Sequence, residues 1–509
     1  MREQTVVIGI DGGTTAVKAI AFGLDGTTLA SASHGVPVCY GRGGHAEQDM
    51  EAVWQAVASC LRSVTSALEG AVIAGVGVTA QGDGAWMVDH EGTPVGPAAT
   101  WLDSRAAGVV SGWVSGPEAE AIRRTTGTTV FPGLFPALWA ELRRTSPDVT
   151  ARAAHQLACK DWIRLCLTGE YATDYTDASR TLLDIVGLSG YSEELAHVLG
   201  EEECLGLLAP IHHADRSGGT VTAEAAAATG LPPGIPVATG MIDVSACGVG
   251  LGAVADGQGW TIVGTTDVVG VLRPSAGDRA TDLSMVVATG RGRQVLEFLA
   301  PMTGAPNLDW ARSVLGLGER PWNEVDALAR QHPAGSGGVL FLPYGAPGGE
   351  RAPFLDMNAS SSWLGMSIET VPGQLIRAAY EGVAFALHEC QQLLGQDGDV
   401  VVSGGAFHSD ILCEILANVT GRRVLRSEAS EAGARGAATE ALVAAGLAPD
   451  EPAAIEMLQQ ERQAFEPDPD EHAAYQDIYA AFVSIRDAQR PTWPGLRMLR
   501  DRADHREGK

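Results

Sequence analysis

Two segments of this sequence share one pattern: a short apolar run, a turn of glycine and threonine, and a second apolar run. The first segment covers residues 6–22 and turns at residues 11–15 (DGGTT). The second covers residues 260–272 and turns at residues 264–267 (GTTD). Apolar runs on both sides of a small-residue turn predict β-hairpins with buried strands. A chain with two such hairpins is expected to fold as two related units.

Helix and strand patterns alternate after each hairpin. Residues 53–64 carry apolar side chains at helical spacing, and residues 74–79 have the composition of a buried strand. After the second hairpin, the predicted elements are a long helix over 371–394, a strand over 400–403, and helices over 409–419 and 433–445. Alternating helices and strands around antiparallel hairpins indicate the α/β class with a partly antiparallel sheet.

The length of 509 residues also favours several domains, because a single core rarely grows beyond about 250–300 residues. We place the boundary between the two units near residues 245–255. The expected organisation is an N-terminal lobe over 1–250, a C-terminal lobe over 251–446, and an appended, partly helical tail over 447–509.

Charge and lysine content exclude several functions. The chain has 62 acidic and 35 basic residues, giving a net charge of −27, which argues against nucleic acid and anionic membranes as partners. Lysine occurs only at positions 18, 160 and 509, and neither internal lysine follows a glycine as a Walker A loop requires. No uncharged apolar stretch approaches the roughly 20 residues of a membrane span, and no signal-peptide pattern precedes the first strand. We therefore expect a cytoplasmic protein.

The two hairpin turns are candidates for binding phosphate through the backbone. Glycines allow close approach of the chain, and successive N–H groups can form a concave anion site without a lysine. Asp11 could hold a hydrated Mg²⁺ next to such a site. A simple hairpin turn remains the alternative for residues 11–15. A third glycine turn, residues 404–406 (GGA), joins a strand to a helix and would also let a ligand approach the backbone.

A second group of candidates consists of carboxylates and polar residues near predicted turns. Asp243 follows a strand and a glycine turn at the start of a helix, where it is either a helix N-cap or a base that takes a proton from a hydroxyl group. Carboxylates, amides and an indole could also form a pocket for a polyhydroxyl compound, and the candidates are Gln81, Asp83, Trp101 and Asp103. A glycine turn with a surface ion pair is the alternative for this second set.

Four blocks of sequence, taken together, resemble the FGGY carbohydrate kinases, a family of the actin/hexokinase/Hsp70-like superfamily. The most specific is the pair formed by residues 361–366 (SSWLGM) and 374–382 (QLIRAAYEG), whose spacing agrees with the C-terminal signature of that family. Residues 349–353 (GERAP) are similar to its Gly-Glu-Arg-x-Pro block, and residues 431–438 (EAGARGAA) to its closing glycine–alanine helix. The resemblance extends from residue 8 to about residue 445.

The resemblance implies two RNase-H-like (actin-like ATPase) lobes with ATP and Mg²⁺ in the cleft between them, and a small polyol or ketose deeper inside. It implies that Asp243 is the general base rather than only a helix cap. It also implies that Asp11 and Asp243 contact Mg²⁺. The implied nucleotide-binding residues are Gly12, Gly13, Thr14, Thr15 and Lys18 at the first phosphate loop, Gly264, Thr265 and Thr266 at the second, and Gly404, Gly405 and Ala406 at the adenosine loop.

The substrate expectation rests on a finer resemblance. Residues 81–86 (QGDGAW), with residues 101–105 (WLDSR) and 159–162 (CKDW), are most similar to the erythritol kinases of the family, and L-xylulose kinases come next. Glycerol kinases carry Arg-Glu where this chain has Gly82-Asp83. We therefore expect an erythritol-like polyol first, and L-xylulose, D-xylulose or ribulose as the alternative.

One departure from the family concerns residues 136–139 (PALW), where its second signature expects a lysine before Leu-x-Trp. This weakens any assignment of the segment to substrate contact. A catalytically silent sugar-binding regulator on the same fold is the alternative from a different functional class. The oligomeric state stays open, a homodimer included.

Overall fold

The computed structural model describes residues 4–128, 130–264, 267–427, 431–459 and 461–507. In the first half the strands are β1 (Thr5–Gly12), β2 (Ala16–Gly23), β3 (Thr28–Gly35), β4 (Cys39–Tyr40), β5 (Ala46–Gln48), β6 (Val72–Ala80), β7 (Trp86–Val88), β8 (Ala98–Ala99), β9 (His155–Leu157), β10 (Thr173–Asp174), β11 (Ile211–His212), β12 (Ser217–Thr220), β13 (Pro236–Ala238) and β14 (Met241–Ile242). The α-helices of this half are α1 (Met50–Ala67), α2 (Ala107–Ser115), α3 (Glu118–Thr126), α4 (Phe135–Thr145), α5 (Pro147–Thr150), α6 (Cys159–Thr168), α7 (Tyr175–Ala178), α8 (Glu193–Leu199), α9 (Ala223–Thr229) and α10 (Asp243–Gly250).

The second half repeats this alternation. Its strands are β15 (Gly259–Val263), β16 (Asp267–Arg273), β17 (Met285–Ala288), β18 (Val295–Leu299), β19 (Leu340–Leu342), β20 (Ser362–Leu364), β21 (Val400–Ser403), β22 (Val424–Ser427) and β23 (Arg462–Phe465). Its α-helices are α11 (Ala305–Val314), α12 (Trp322–Ala329), α13 (Pro372–Leu393), α14 (Asp410–Thr420), α15 (Ala432–Ala444), α16 (Glu451–Leu458), α17 (Pro469–Gln489) and α18 (Trp493–Glu507).

Each half builds one mixed sheet around its hairpin. The first sheet has the order β12-β13-β6-β1-β2-β3, with β14 beside the end of β6, and the second has the order β17-β18-β16-β15-β21-β22-β23. In both sheets the first hairpin strand pairs antiparallel with its partner and parallel with a later strand: β1 with β2 and β6, β15 with β16 and β21. The predicted α/β class and the two related units are confirmed.

Helix α15 lies against the first sheet although it comes from the second half of the chain. Built Cβ atoms on Gly9 and Gly77 would lie 1.8 Å and 1.7 Å from the carbonyl oxygens of Ala434 and Ala437. Only glycine at these sheet positions allows such an approach of the two backbones. The alanines and glycines of α15 are therefore explained by packing, because a larger side chain would separate the helix from the sheet.

The segment after residue 446, expected as an appended tail, is built into the two units. Strand β23 pairs antiparallel with β22 at the edge of the second sheet. Tyr475, Phe482 and Trp493 are fully buried in the same core as helix α13. Helix α16 joins α15 in an apolar cluster on the first sheet. No helix among the described residues is long and apolar enough to cross a bilayer.

Candidate active site

The candidate base and the candidate metal ligand meet at one end of the first sheet. Asp11 lies near the end of β1, and its neighbour in the parallel strand β6 is Thr79. Met241 of β14 pairs with the same Thr79, whose hydroxyl group donates to the carbonyl oxygen of Met241 at 2.7 Å. Asp243 begins helix α10 directly after β14. The register of three strands therefore brings Asp11 and Asp243 to the same edge.

Burial dominates the electrostatics of this edge. Burial and, to a lesser extent, the negative charge of Asp11 raise the pKa of Asp243 to about 7, while the Val244 N–H, which donates to Asp243 Oδ1 at 2.7 Å, opposes the rise. Burial likewise raises the pKa of Asp11 to about 6, against the attraction of Lys18. Asp243 at this pKa is suited to accept a proton near neutral pH.

Two carboxylates at one edge fit a magnesium ion that arrives with phosphate. Mg²⁺ is usually held by one or two carboxylates together with waters and substrate phosphates rather than by a protein cage. Among the described residues, no group of three or more metal-ligating side chains occurs. The donor set of Asp11 and Asp243 matches the first arrangement, and a divalent cation would favour the ionised forms of both carboxylates, whose pKa values are raised by burial.

The first glycine–threonine loop is anchored by polar side chains behind it. Trp101 Nε1–H donates to the Thr14 hydroxyl at 2.9 Å, and Gln48 Nε2 donates to the Thr14 carbonyl at 2.8 Å. Gln81 Nε2 donates in turn to Gln48 Oε1 at 2.6 Å. Thr15 at the tip is exposed. These bonds hold the loop in one conformation.

Lys18 lies just beyond this loop and forms an ion pair with the second half of the chain. Its Nζ is 2.8 Å from Glu431 Oε2, next to the start of helix α15, and the lysine side chain is 40% exposed. Lys18 also lowers the pKa of Asp11, as noted above. The residue is thus placed at the edge of the loop rather than beneath it.

The second and third glycine loops adjoin each other at the corresponding edge of the second sheet. Gly264 follows β15, and its carbonyl accepts the Ala305 N–H at 3.2 Å; Thr265 and Thr266 lie outside the described residues. Gly404 has φ +105°, and a Cβ built on it would lie 2.4 Å from the Val263 carbonyl oxygen. Gly405 is exposed and Ala406 is half-buried. The parallel pairing of β15 with β21 thus brings the two loops together.

A cavity of about 110 Å³ opens between the two sheets and contains Asp243 in its wall. Residues of both halves line it: Gly82, Asp83, Trp101, Phe131, Arg180, Ile242, Asp243 and Val244 from the first, and Asp267, Val268, Met285, Phe298, Ala300, Met302 and Arg351 from the second. Three of the predicted substrate residues, Asp83, Trp101 and Asp243, are therefore brought together. Aromatic and aliphatic walls with a few polar groups are typical of small-molecule sites.

Two predicted substrate residues are not on this wall. Asp103 is fully buried, accepts the Ala46 N–H at 2.8 Å, and pairs with Arg105 Nη2 at 2.6 Å. Gln81 is buried behind the first loop, where it bonds Gln48 as described. These bonds support the loops around the cavity, and contact of Gln81 or Asp103 with substrate stays a prediction. Gln81 Oε1 has no hydrogen-bond partner among the described residues.

Sequence reasoning missed three charged residues of the wall. Arg180 follows helix α7 and bonds Asp83, to which its Nε donates at 2.7 Å. Asp267 is fully buried at the start of β16, and burial raises its pKa well above the usual range. The exposed Arg351 has its backbone N–H bonded to Glu350 Oε1 at 2.9 Å. The sequence signal that could have placed these residues in the wall was their position: Arg180 directly follows a polar run, and Asp267 directly follows the second loop.

Lys160 lies outside the cavity wall in a closed cluster of charges. Its Nζ is 2.6, 3.1 and 3.2 Å from carboxylate oxygens of Asp161, Asp174 and Asp177. Thr176, between the last two, donates its hydroxyl to Asp174 Oδ1 at 2.9 Å and accepts the Ile242 N–H at 2.8 Å. The cluster therefore supports the residue that precedes Asp243.

Comparisons with known proteins point to one family. The model of the N-terminal domain of the FGGY family of carbohydrate kinases matches residues 6–250, and that of the C-terminal domain matches residues 261–445. Erythritol kinase of Brucella abortus is 32% identical, covering 97% of this chain and 99% of that protein. L-xylulose/3-keto-L-gulonate kinase of Escherichia coli is 28% identical, covering 94% and 96%. The solved structure of ligand-bound xylulose kinase from Lactobacillus acidophilus superimposes with a TM-score of 0.88 at 25% identity, covering 97% of this chain and 100% of that one.

Proposed function

Because the chain belongs to the FGGY family of carbohydrate kinases, we propose that it phosphorylates a hydroxyl group of a small polyol or ketopentose, with erythritol as the first candidate. Membership of the family makes it a phosphotransferase with an alcohol group as acceptor and ATP as donor. The observation that carries the proposed transfer step is the position of Asp243, a carboxylate with a pKa of about 7 in the wall of the cavity between the two sheets.

Asp243 acts as the general base in the proposed reaction. Its carboxylate accepts the proton of an acceptor hydroxyl, the freed oxygen forms a bond to the γ-phosphorus, and the bond from that phosphorus to the β-phosphate oxygen breaks to release ADP. Phosphoryl transfer depends chiefly on positioning and charge stabilisation. The apolar side chains of the wall limit the water that could compete with the acceptor.

The glycine loops supply the proposed binding groups for the nucleotide. Residues 12–15 and 264–266 would present backbone N–H groups to the phosphates, with Lys18 beside the first loop, and residues 404–406 would accommodate the adenosine. Mg²⁺, when bound with ATP, would neutralise phosphate charge, and Asp11 and Asp243 are the residues that would hold it. We retain the proposed division into lobes at 1–250 and 251–446, with the remainder of the chain contributing to both cores.

Asp83 and Trp101 are the proposed acceptor contacts beside Asp243. A carboxylate accepts hydrogen bonds from hydroxyl groups, and the indole face packs against C–H bonds. The similarity to erythritol kinase of Brucella abortus favours erythritol. The similarity to the L-xylulose and xylulose kinases favours xylulose as the second candidate.

The test is an assay of ADP release with Mg-ATP over polyols and ketoses of three to six carbons, including erythritol, both xylulose enantiomers, ribulose and glycerol. We expect erythritol to give the highest kcat/KM. Asp243→Asn is the matched variant: it should still bind ATP, and turnover should fall by about two to four orders of magnitude because the base is lost. Near-normal turnover in that variant would contradict the role of Asp243, and inertness of all these acceptors would contradict the substrate class.

A further inference from the structure

A buried ion pair forms part of the cavity wall beside the proposed base. Arg180 Nε donates to Asp83 Oδ1 at 2.7 Å, and Nη2 donates to Oδ2 at 3.4 Å. The side chains of Arg180 and Asp83 are only 3% and 12% exposed. Arg180 Nη1 is buried, with almost no accessible surface, and has no hydrogen-bond partner among the described residues. Because an unsatisfied donor of a buried guanidinium is costly, a ligand oxygen that came within reach of it would gain a hydrogen bond.

The backbone, as well as the guanidinium, holds Asp83 in this place. Asp83 has a backbone φ of +63°, in the left-handed region that residues other than glycine rarely adopt. The preceding Gly82 packs against Ile242, since a Cβ built on Gly82 would lie 2.1 Å from Ile242 Cδ1. Strained backbone of this kind persists at sites where the side chain has a function. The loop is thus shaped to present one carboxylate next to Arg180.

The charges of the wall determine which ligands can enter. Its described charged residues are the acids Asp83, Asp243 and Asp267 and the cations Arg180 and Arg351. Arg351 is exposed, so water screens its charge, and the charge of Arg180 is balanced by Asp83. A carboxylate ligand would therefore find the buried cation of the wall already neutralised by Asp83, and the ionised form of Asp243 would repel it. A neutral polyol avoids both disadvantages.

We propose that the Asp83–Arg180 pair sets the charge class of the acceptor. Asp83 cancels the guanidinium charge and confines the cavity to neutral polyols and ketoses, while Arg180 donates a hydrogen bond to an acceptor oxygen. Removing the carboxylate of Asp83 uncovers a buried cation and converts the cavity into a site for aldonates. The inference rests on the proposed function, because it takes this cavity as the acceptor site.

The experiment compares erythritol with erythronate, the aldonate of the same chain length, by calorimetric binding without nucleotide. Wild type should bind erythritol more tightly than erythronate. Asp83→Asn keeps the side-chain shape and should shift the ratio of the two Kd values toward erythronate by roughly ten- to a hundredfold, the usual effect of a charge-assisted hydrogen bond. Xylulose and xylonate form a second ligand pair with the same expected shift.

The double variant Asp83→Asn/Arg180→Gln should lose the affinity for erythronate that Asp83→Asn gains, whereas Asp83→Asn/Arg351→Gln should keep it. Binding of ADP and the circular dichroism spectrum report folding, and Asp83→Ser replaces Asp83→Asn if the latter does not fold. An Asp83 variant that binds ADP but shows no shift toward erythronate overturns the inference, as does a shift that survives removal of Arg180. If the proposed function itself is wrong, the wild-type protein will neither bind nor phosphorylate any of the neutral acceptors, which distinguishes this outcome from failure of the inference.

Discussion

Two clusters of buried charge in the first half of the molecule are built in opposite ways. In the cleft, the largest charge effect on Asp243 comes from a second acid, Asp11, and burial with this repulsion raises the pKa of Asp243 to about 7. Around Lys160, three carboxylates lie within 3.2 Å of one ammonium group. Burial raises the pKa of Asp177 against the attraction of Lys160, which favours its protonated form. The two remaining carboxylates are balanced by Lys160 and by Arg164, whose Nη2 lies 3.8 Å from Asp161 Oδ1.

The difference separates a scaffold from a reactive site. A buried charge with its partners in contact is held in one arrangement, and removing a partner is costly. A buried carboxylate beside another carboxylate is easily protonated and attracts cations, as acid–base chemistry requires. Thr176 connects the two clusters, because it bonds both Asp174 and the Ile242 N–H. The balanced cluster therefore positions the unbalanced one.

The largest effect on stability is expected from Lys160→Met, which would leave three buried carboxyl groups facing one another. We expect a loss of about 3–5 kcal/mol in the free energy of unfolding, the usual cost of breaking a buried ion pair. Urea unfolding followed by circular dichroism measures it. An unfolding midpoint equal to that of wild type would show that the cluster is not the scaffold described here.

The pH dependence of the reaction tests the cleft cluster. Asp243 must be deprotonated to accept a proton, so kcat/KM for the acceptor should fall about tenfold per pH unit below a pH near 7. Stability should show the opposite sign: the pKa of Asp243 lies above its ordinary value of 3.8, so its ionisation destabilises the fold as pH rises from about 4 through 7.

Asp243→Asn removes the loss of stability that ionisation of Asp243 causes, and the variant therefore serves as the control. Without Mg²⁺, its unfolding free energy relative to wild type should increase over the same pH range. A flat kcat/KM profile between pH 5.5 and 8, or a difference in stability that does not change with pH, would contradict the pKa of Asp243.

The smallest effect is expected from Lys18→Met, the counterpart of Lys160→Met at the edge of the cleft. The Lys18–Glu431 pair is partly exposed, and such pairs contribute less than about 1 kcal/mol. We expect unchanged urea unfolding and a rise of only a few-fold in the KM for ATP, reduced by added salt. A loss of stability comparable with that of Lys160→Met would remove the distinction between the two lysines.

Much of the fold could be predicted from local pattern. The glycine–threonine turns, the strands beside them and the helix over Pro372–Leu393 follow from apolar periodicity and from residues that favour turns. For Asp243, local pattern left a helix N-cap and a general base as equal alternatives, and the resemblance to a family decided between them.

The rest of the site depends on contacts between distant residues. Asp83 and Asp103 look equivalent in the sequence, since each follows a candidate pocket residue in a polar turn. Asp83 lies in the cavity wall with a φ of +63°, whereas Asp103 is buried against Arg105 and the Ala46 N–H. Arg180 pairs with a residue 97 positions away, and no local pattern reports such a contact.

The packing of helix α15 has a consequence for biosynthesis. All strands of the first sheet have been made once residue 242 is complete, yet one face of that sheet is covered by a helix that begins at Ala432. The ribosome must therefore translate nearly the whole second sheet before the first can bury its apolar residues Val7, Ile20 and Phe22. The N-terminal half therefore cannot finish folding before most of the C-terminal half has been synthesised. Until helix α15 has been made, the apolar face of the first sheet is exposed and prone to aggregation.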